Sequence, residues 1–332
     1  MKKRFALFGA GRIGRIHARN LAANPHAELR YVIDVNEAAA RELAAAHGAS
    51  VVQTQAALAD SAVDAVLIAS STDTHADLIE ASARAGKAIL CEKPLDLNVE
   101  RATRSLKTAD GTGVLLALGF NRRFDPSFSA LRKRVVAGEV GQVECVSITS
   151  RDPAPPPVEY VARSGGLFRD MTIHDLDMAR WLLGEEVAAV SAHGAALVDP
   201  AIGRAGDIDS AVLVLQTASG KLCHISNSRR CAYGYDQRIE VFGSQGMLRA
   251  ENQRATSVER AGEGGFSTDP VLHFFLERYA LAYQLELQAF VDKLLGREAS
   301  IVTGLDGLRA LQLADAAQLA LQSGTTVRPV FR

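Results

Sequence analysis

The sequence predicts an α/β protein of two domains, the first built on a doubly wound parallel sheet and the second an α+β domain with a large open, mostly antiparallel sheet. In the first 120 residues, short apolar runs alternate with helical patterns, as strands and crossover helices do in parallel sheets. Beyond residue 120, short strand patterns follow one another with tight turns, which favours antiparallel pairing. We therefore expect a first domain over residues 1–120 and a second over residues 121–332, whose last helix packs back on the first.

A glycine-rich turn follows the first apolar run, Arg4 to Phe8. In the sequence GAGRIG, three glycines have the G-x-G-x-x-G spacing of a dinucleotide-binding Rossmann fold. There they permit the tight turn, let the backbone approach a pyrophosphate and allow close helix–strand packing. The cofactor contacts predicted in this turn are Gly9, Gly11, Arg12, Ile13 and Gly14.

Asp34 ends the second apolar run, twenty positions after Gly14. A carboxylate there can accept hydrogen bonds from the adenosine ribose hydroxyls and would repel a 2′-phosphate, so the sequence favours NAD over NADP. The alternative is a turn residue before Asn36. The upstream glycines favour the ribose role.

Three later strand patterns are each followed by a polar segment. These segments are SSTDTH from Ser70 to His75, EKP from Glu92 to Pro94 and FNRRFD from Phe120 to Asp125. Because ligands of doubly wound sheets bind outside the carboxyl ends of the strands, all three segments should face the cofactor. The contacts predicted in the first two are Ser70, Thr72, His75, Glu92 and Lys93. Lys93 either holds a substrate hydroxyl beside a developing alkoxide or is a solvated loop lysine, and the residues alone leave both open.

The second half of the chain has a different character. After one helical pattern from Ser127 to Gly138, six runs have β character: Val143 to Ser150, Val187 to Ala192, Ser210 to Thr217, Leu222 to Ser228, Gln237 to Phe242 and Met247 to Ala250. The proline-rich segment from Pro153 to Pro157 predicts a stiff loop. Two helical stripes close the chain, one from Leu276 to Leu294 and one from Leu305 to Gln322.

The bulk composition limits the classes of partner. Lys and Arg number 37 against 38 Asp and Glu, so there is no electrostatic reason to expect nucleic acid or an anionic membrane. No apolar run approaches the roughly 20 residues that span a bilayer. The four scattered cysteines lack the close spacing of a metal or redox site. We therefore expect a cytoplasmic protein without a metal that acts on a small molecule.

The candidate catalytic residues lie between Ser164 and Gly184, in SGGLFRDMTIHDLDMARWLLG. Asp170, His174 and Asp177 fall at i, i+4 and i+7, a polar stripe on an otherwise apolar helix. His174 can be a general base with Asp170 as its orienting partner, a metal ligand or a core histidine. Asp170 can instead be the N-cap of the helix that follows.

Several motifs together carry a family resemblance. GAGRIG, CEKPL and GGLFRDMTIHDLDMARWLLG, in this order, resemble the Gfo/Idh/MocA family of NAD(P)-dependent sugar and polyol oxidoreductases. FNRRFD, SRDP, AYGYDQRIEVFG and FSTD resemble the branch of that family that oxidises inositols. The resemblance covers nearly the whole chain. Asn121 stands where relatives carry an apolar residue and the PAPPP loop differs from theirs, and these departures bear on substrate identity.

The resemblance implies NAD-dependent oxidation of a cyclic polyol, namely myo-inositol at one ring hydroxyl to the inosose. His174 would take the hydroxyl proton, Asp170 would orient His174, and Lys93 would hold the reacting hydroxyl. The further substrate contacts it implies are Asn121, Arg122, Asp152 and Tyr235. The resemblance also implies a homotetramer.

Two alternatives remain open. The same catalytic residues would serve a scyllo-inositol, aldose or other sugar dehydrogenase. A nucleotide-binding regulator or sugar sensor could keep the fold without the chemistry, although it would not need all three of Lys93, Asp170 and His174.

Overall fold

The computed structural model describes residues 2–331, apart from the side chain of Ala162. The chain divides into two compact units. The first contains the chain up to Phe124 together with Ala282–Leu311, and the second contains Asp125–Leu281 and the chain from Gln312 onward. The division expected from the sequence, at residue 120, differs because a C-terminal segment of 30 residues folds with the N-terminal unit.

The first unit is built on a six-stranded parallel sheet, as predicted. Its strands are β1 (Lys3–Phe8), β2 (Ala27–Ile33), β3 (Ser50–Val51), β4 (Ala65–Ile68), β5 (Ala88–Glu92) and β6 (Leu116–Gly119). They lie in the order β3-β2-β1-β4-β5-β6, so the direction of winding reverses between β1 and β4. Every residue of β4 and β6 is buried, which explains their unbroken apolar character.

Five helices connect these strands: α1 (Arg12–Ala23), α2 (Glu37–His47), α3 (Thr54–Ala59), α4 (His75–Arg84) and α5 (Val99–Thr112). Short 3₁₀ turns precede α4 and follow β6, at Thr72–Thr74 and Asn121–Phe124. The side chains of Asn36 and Asn98 cap the N-termini of α2 and α5. The sequence did not predict α3, a short helix of six residues.

The second unit is built on a six-stranded mixed sheet. Its strands are β7 (Val143–Arg151), β8 (Val187–Ala195), β9 (Ser210–Thr217), β10 (Leu222–Ser228), β11 (Asp236–Gly243) and β12 (Gly246–Ala250). The order is β12-β11-β7-β10-β9-β8, and only the β7–β10 pair is parallel. The predicted open, mostly antiparallel sheet is thus confirmed. A two-stranded hairpin, β13 (Glu259–Gly262) with β14 (Gly265–Thr268), was not predicted.

The helices of the second unit are α6 (Pro126–Val136), α7 (Val158–Ser164), α8 (Ile173–Leu183), α9 (Pro200–Arg204) and α10 (Phe275–Arg278). A π-helical turn, Phe168–Thr172, leads directly into α8. Gly184, at φ +67°, ends α8 in the left-handed conformation. The helix α8 contacts β7 and β10, so it covers one face of the mixed sheet.

The last two helices are α11 (Ala280–Leu294) and α12 (Gly304–Ser323). Leu287, Phe290 and Val291 of α11 are fully buried and belong to the same core cluster as Phe5 and Leu7 of β1. This burial of apolar side chains explains why the C-terminal segment folds with the first unit. None of the helices between residues 2 and 331 combines the length and apolar character needed to cross a bilayer.

Candidate active site

The glycine turn after β1 has the backbone geometry of a dinucleotide site. Gly9 has φ +102°, and a Cβ there would lie 2.4 Å from the carbonyl oxygen of Ala69. A Cβ on Gly14 would lie 1.9 Å from the carbonyl oxygen of Gly9. With any other residue at position 14, α1 could not pack so closely against the turn. A Cβ on Gly11, at the N-cap of α1, would meet nothing within 4 Å. The space above Gly11 is therefore open where the helix N-terminus presents its N–H groups, which fits a pyrophosphate.

The carboxylate of Asp34 lies beside this turn and holds it through hydrogen bonds to the backbone. Its Oδ2 accepts a hydrogen bond of 2.6 Å from the backbone N–H of Ala10, and its Oδ1 accepts one of 2.7 Å from Asn36. The carboxylate is only half-buried, so each oxygen keeps a lone pair for a ribose hydroxyl. The turn with Asn36 that the sequence offered as the alternative is present, and the ribose role stays a prediction for a carboxylate that lies beside the glycines.

The parallel register aligns the strand ends that precede the predicted contacts. Phe8 pairs with Ile33 and with Ile68, and Ile68 pairs in turn with Cys91. The residues that follow, including Ser70 and Lys93, therefore emerge at one edge of the sheet. Arg12 is exposed there, while Ile13, Ser70, Thr72 and Lys93 are half-buried.

His75 is a brace between two of these segments. Its ring is 1% exposed, with Nδ1 at 2.8 Å from the carbonyl oxygen of Pro94 and Nε2 at 3.1 Å from that of Ser70. Burial lowers the pKa of His75, against the opposing effect of the two carbonyls. A neutral ring donates to only one of them. His75 therefore holds the ends of β4 and β5 in place, and its buried ring offers little surface to a cofactor.

The EKP segment begins on the last residue of β5. Glu92 is buried and its Oε1 lies 2.8 Å from Nε2 of His17 in α1. Lys93 is half-buried and is joined to Pro94 by a cis peptide bond. Asn121 and Arg122 occupy the 3₁₀ turn after β6 and are 3% and 4% exposed.

In the second unit, Asp170 is held by residues that sequence reasoning missed. Its Oδ2 accepts hydrogen bonds of 3.1 Å from both Nη1 and Nη2 of Arg229, and its Oδ1 accepts one of 2.9 Å from the hydroxyl of Tyr160. Arg229 is 1% exposed. Two hydrogen bonds from a fully buried guanidinium fix the orientation of this carboxylate.

The helix that carries Asp170 and His174 is not regular. Asp170 lies inside the π-helical turn, and His174 is the second residue of α8. Asp170 is therefore not the N-cap that one interpretation of the sequence proposed, because the chain is already helical at Leu167. A π-turn, with i→i+5 hydrogen bonds, widens the helix and re-aims side chains, and such turns are frequent at functional sites. Asp170 and His174 are half-buried, whereas Asp177 is 1% exposed.

The pairing of β7 gathers the other predicted residues of this unit. Arg151 pairs with Ser228 of β10 on one side and with Asp236 of β11 on the other. Asp152, Arg229 and Tyr235, one residue beyond these positions, therefore share one edge of the sheet. Tyr235 is 6% exposed and packs edge-on against Tyr279, with ring centroids 5.9 Å apart.

Asp236 holds this edge together. It is fully buried and accepts hydrogen bonds from Arg151, Tyr233, Arg238 and Asn252. Burial alone would raise the pKa of Asp236, but these donors outweigh it and lower the pKa below its usual value. The strand ends that present Asp152 and Tyr235 are therefore fixed by an ionised carboxylate.

Comparison with known proteins agrees with this description. Residues 3–120 match an oxidoreductase family with an NAD-binding Rossmann fold, and residues 128–249 match a GFO/IDH/MocA C-terminal domain. An inositol 2-dehydrogenase of Rhizobium meliloti is 55% identical over 96% of both chains. A myo-inositol 2-dehydrogenase of Thermotoga maritima is 47% identical over 98% of both chains. The crystal structure of a Lactobacillus casei scyllo-inositol dehydrogenase with bound NAD(H) and scyllo-inositol superposes with a TM-score of 0.92 at 31% identity, covering 99% of each chain.

Proposed function

Because the chain belongs to the Gfo/Idh/MocA family of NAD-binding oxidoreductases, we propose that it oxidises myo-inositol at one ring hydroxyl to 2-keto-myo-inositol. The observation that carries the proposal is that a dinucleotide turn with its carboxylate, Asp34, occurs in the same chain as the acid–base residues Asp170 and His174. The inositol dehydrogenases among its relatives, at 55% and 47% identity, support the choice of substrate.

His174 acts as the general base in this proposal and takes the proton of the reacting hydroxyl. An imidazole suits this step because its ordinary pKa lies near neutrality. Asp170 stabilises the protonated imidazole, and its own orientation is set by two hydrogen bonds from Arg229. Lys93 holds the reacting hydroxyl and supplies positive charge as an alkoxide develops.

NAD, when bound, accepts the hydride that leaves the carbon. In this proposal the backbone of the glycine turn holds the pyrophosphate and Asp34 holds the ribose. The other cofactor contacts we propose are Arg12, Ile13, Ser70, Thr72, Glu92 and Lys93, with His75 acting through Ser70 and Pro94. For the remaining hydroxyls of the substrate we propose Asn121, Arg122, Asp152 and Tyr235.

The test is an NADH-forming screen of the purified protein across inositol isomers and aldoses. We expect the highest kcat/KM with myo-inositol, a marked loss of turnover in His174→Ala, and little change in its NAD affinity, because the imidazole acts in the transition state. His193→Ala, which removes an exposed histidine of β8, is the matched control. Unchanged turnover in His174→Ala would exclude the base assignment.

A second candidate substrate is scyllo-inositol, favoured by the structural likeness to the Lactobacillus casei enzyme that carries it. The same screen separates the two, since the isomers differ in the orientation of one hydroxyl. NAD binding without turnover of any isomer or aldose would instead favour a non-catalytic regulator.

We also propose that copies of the chain associate into a homotetramer through the open face of the mixed sheet. The strand registers place five exposed apolar side chains on that face: Val212, Val214, Leu222, Phe242 and Met247. An apolar sheet face of this kind usually packs against another layer. Light scattering should give four times the chain mass, and Val214→Asp with Phe242→Asp should lower it. A monomeric mass for the unaltered chain would exclude the proposal.

We place the protein in the cytoplasm, where a reducing environment would preserve its four free thiols. Fractionation of cells that carry a tagged copy tests this placement.

A further inference from the structure

Three titratable side chains meet in the interior of the first unit. His17 of α1, Glu92 at the end of β5 and Glu286 of α11 each bring one nitrogen or oxygen within 4.8 Å of the others. Their exposed fractions are 1%, 9% and 2%. Two carboxyl groups in so small a buried volume need an explanation, because burying an unpaired carboxylate is costly.

His17 forms a hydrogen bond with Glu92 and not with Glu286. Nε2 of His17 lies 2.8 Å from Oε1 of Glu92, whereas neither oxygen of Glu286 has a hydrogen-bond partner among the described residues. Tyr283, one turn before Glu286, closes the cluster with its ring edge-on to His17 at 5.6 Å. On β6, a Cβ at Gly119 would lie 2.8 Å from Oε2 of Glu92, so this carboxylate occupies space that only glycine leaves.

The surrounding charges decide which carboxyl group carries a proton. Burial, and then the charge of Glu92, raise the pKa of Glu286 well above its usual value. The same two causes raise the pKa of the Cys91 thiol, and burial lowers the pKa of His75, so these neighbours stay neutral. Glu286 is therefore the carboxyl group of the pair that favours its neutral form.

We propose that Glu286 is a neutral carboxylic acid that donates a hydrogen bond toward Glu92, and that this bond and the one with His17 position the Glu92–Lys93–Pro94 turn. One water molecule or a small side-chain rotation spans the gap between the two carboxyl groups. Glu286 is then a positioning residue for Lys93. This last step rests on the proposed function, whereas the protonation of Glu286 does not.

A divalent cation is the rival occupant, since imidazole and carboxylate are common metal ligands. A metal held by these three side chains would need further ligands in a buried space, and it would need both carboxylates ionised. A proton held by Glu286 requires neither further ligands nor two ionised carboxylates. Metal analysis of the purified protein decides between them, because a stoichiometric divalent metal that is lost in Glu286→Gln would overturn the proposal.

The stability of Glu286→Gln tests the proton directly. Between the ordinary glutamate pKa, about 4.3, and the raised value in the folded protein, only the folded state holds this proton. Stability from the raised pKa is complete below the ordinary value and is lost as the pH rises toward the folded value. Relative to Glu286→Gln, the unfolding equilibrium constant of the unaltered protein should therefore increase by up to about tenfold per pH unit. Glu298→Gln, at an exposed site, is the matched control. A ratio independent of pH from about 5 to 9 would refute a neutral Glu286.

Kinetics test the positioning role. Glu286→Gln keeps size, neutrality and an N–H donor, so we expect kcat within about threefold of the unaltered enzyme. Glu286→Leu removes the donor and should lower kcat about tenfold with little change in KM. At alkaline pH the unaltered enzyme should lose activity as Glu286 ionises, whereas Glu286→Gln should keep its activity there. A purely structural role would not produce this difference in pH profile. Normal kcat in Glu286→Leu overturns the positioning role. Full activity in Lys93→Met would instead refute the proposed function, and the stability comparison would still decide the proton.

Discussion

Asp34→Ala separates the hydrogen bonds that this carboxylate makes within the glycine turn from the ribose contact that we propose for it. The substitution removes hydrogen bonds of 2.6 Å and 2.7 Å from the backbone N–H groups of Ala10 and Asn36. Bonds to a charged acceptor contribute about 1.5 to 3 kcal/mol each when buried, and Asp34 is half-buried, so we expect a loss of about 2 kcal/mol in the free energy of unfolding. A glycine turn that has lost its brace must then be ordered by the cofactor.

NAD affinity should fall by at least as much. A cost of about 2 kcal/mol corresponds to a roughly 30-fold increase in the Kd for NAD, to which the lost ribose contact adds. The Kd for NADP should rise less, because the charge that repels its 2′-phosphate is gone. The ratio of the two dissociation constants therefore reports the ribose role, and the free energy of unfolding without cofactor reports the brace.

Isothermal titration with NAD and NADP, and urea unfolding without cofactor, measure these quantities. Asp110→Ala, an exposed aspartate at the end of α5, is the matched control and should change neither. A destabilised variant with an unchanged NAD-to-NADP ratio would show that Asp34 only braces the turn. An unchanged free energy of unfolding would exclude the brace.

Three further predictions follow from the geometry of single residues. Gly14→Ala places a Cβ against the carbonyl oxygen of Gly9 and should lower the free energy of unfolding by about 3 kcal/mol. Gly11→Ala places its Cβ in open space, so it should change the free energy of unfolding by less than about 0.5 kcal/mol and still weaken NAD binding. Similar urea midpoints for the two variants would contradict this. Arg229→Met leaves the carboxylate of Asp170 without its ion-pair partner, and it should lower the free energy of unfolding by about 3 kcal/mol and remove most of the turnover. Adding Asp170→Asn should restore part of the stability but none of the turnover. Burial alone would raise the pKa of Asp209, but three backbone N–H groups and a hydroxyl hold it below its usual value. Asp209→Asn should therefore cost about 3 kcal/mol at neutral pH, and the difference should shrink as the pH falls below about 4; a difference independent of pH would refute the role of its charge.

Much of the first unit could be predicted because its signals are local. The unbroken apolar run of β4 and the glycine spacing after β1 each depend on residues close together in the chain. The return of α11 to this unit could not be predicted, since its stripe of Leu287, Phe290 and Val291 would suit any apolar surface. The periodicity of a helix predicts which of its faces is buried, but it does not predict which surface that face packs against.

The mixed sheet shows the same limit at the candidate site. The six strands were predicted one by one, but the parallel pairing of β10 with β7 is a long-range choice. That pairing brings Arg229 to the edge that carries Asp152. Arg229 directly follows a strand in an exposed-looking SRR sequence, which by composition predicts a solvated residue. Its burial against Asp170 depends on the pairing and not on any local pattern.

The polar residues at these strand ends are mostly braced by other polar groups. Asp34 holds the N–H of Ala10, His75 spans two carbonyls, and Glu92 is held by His17. Such bonds cost no reorganisation when charge moves during a reaction, which is the condition under which electrostatic stabilisation is most effective. A structural role and a functional role are therefore not exclusive alternatives for these side chains. The turn that Asp34 forms is compatible with the ribose contact that we propose for it, because a fixed acceptor binds a hydroxyl at lower entropic cost than a mobile one.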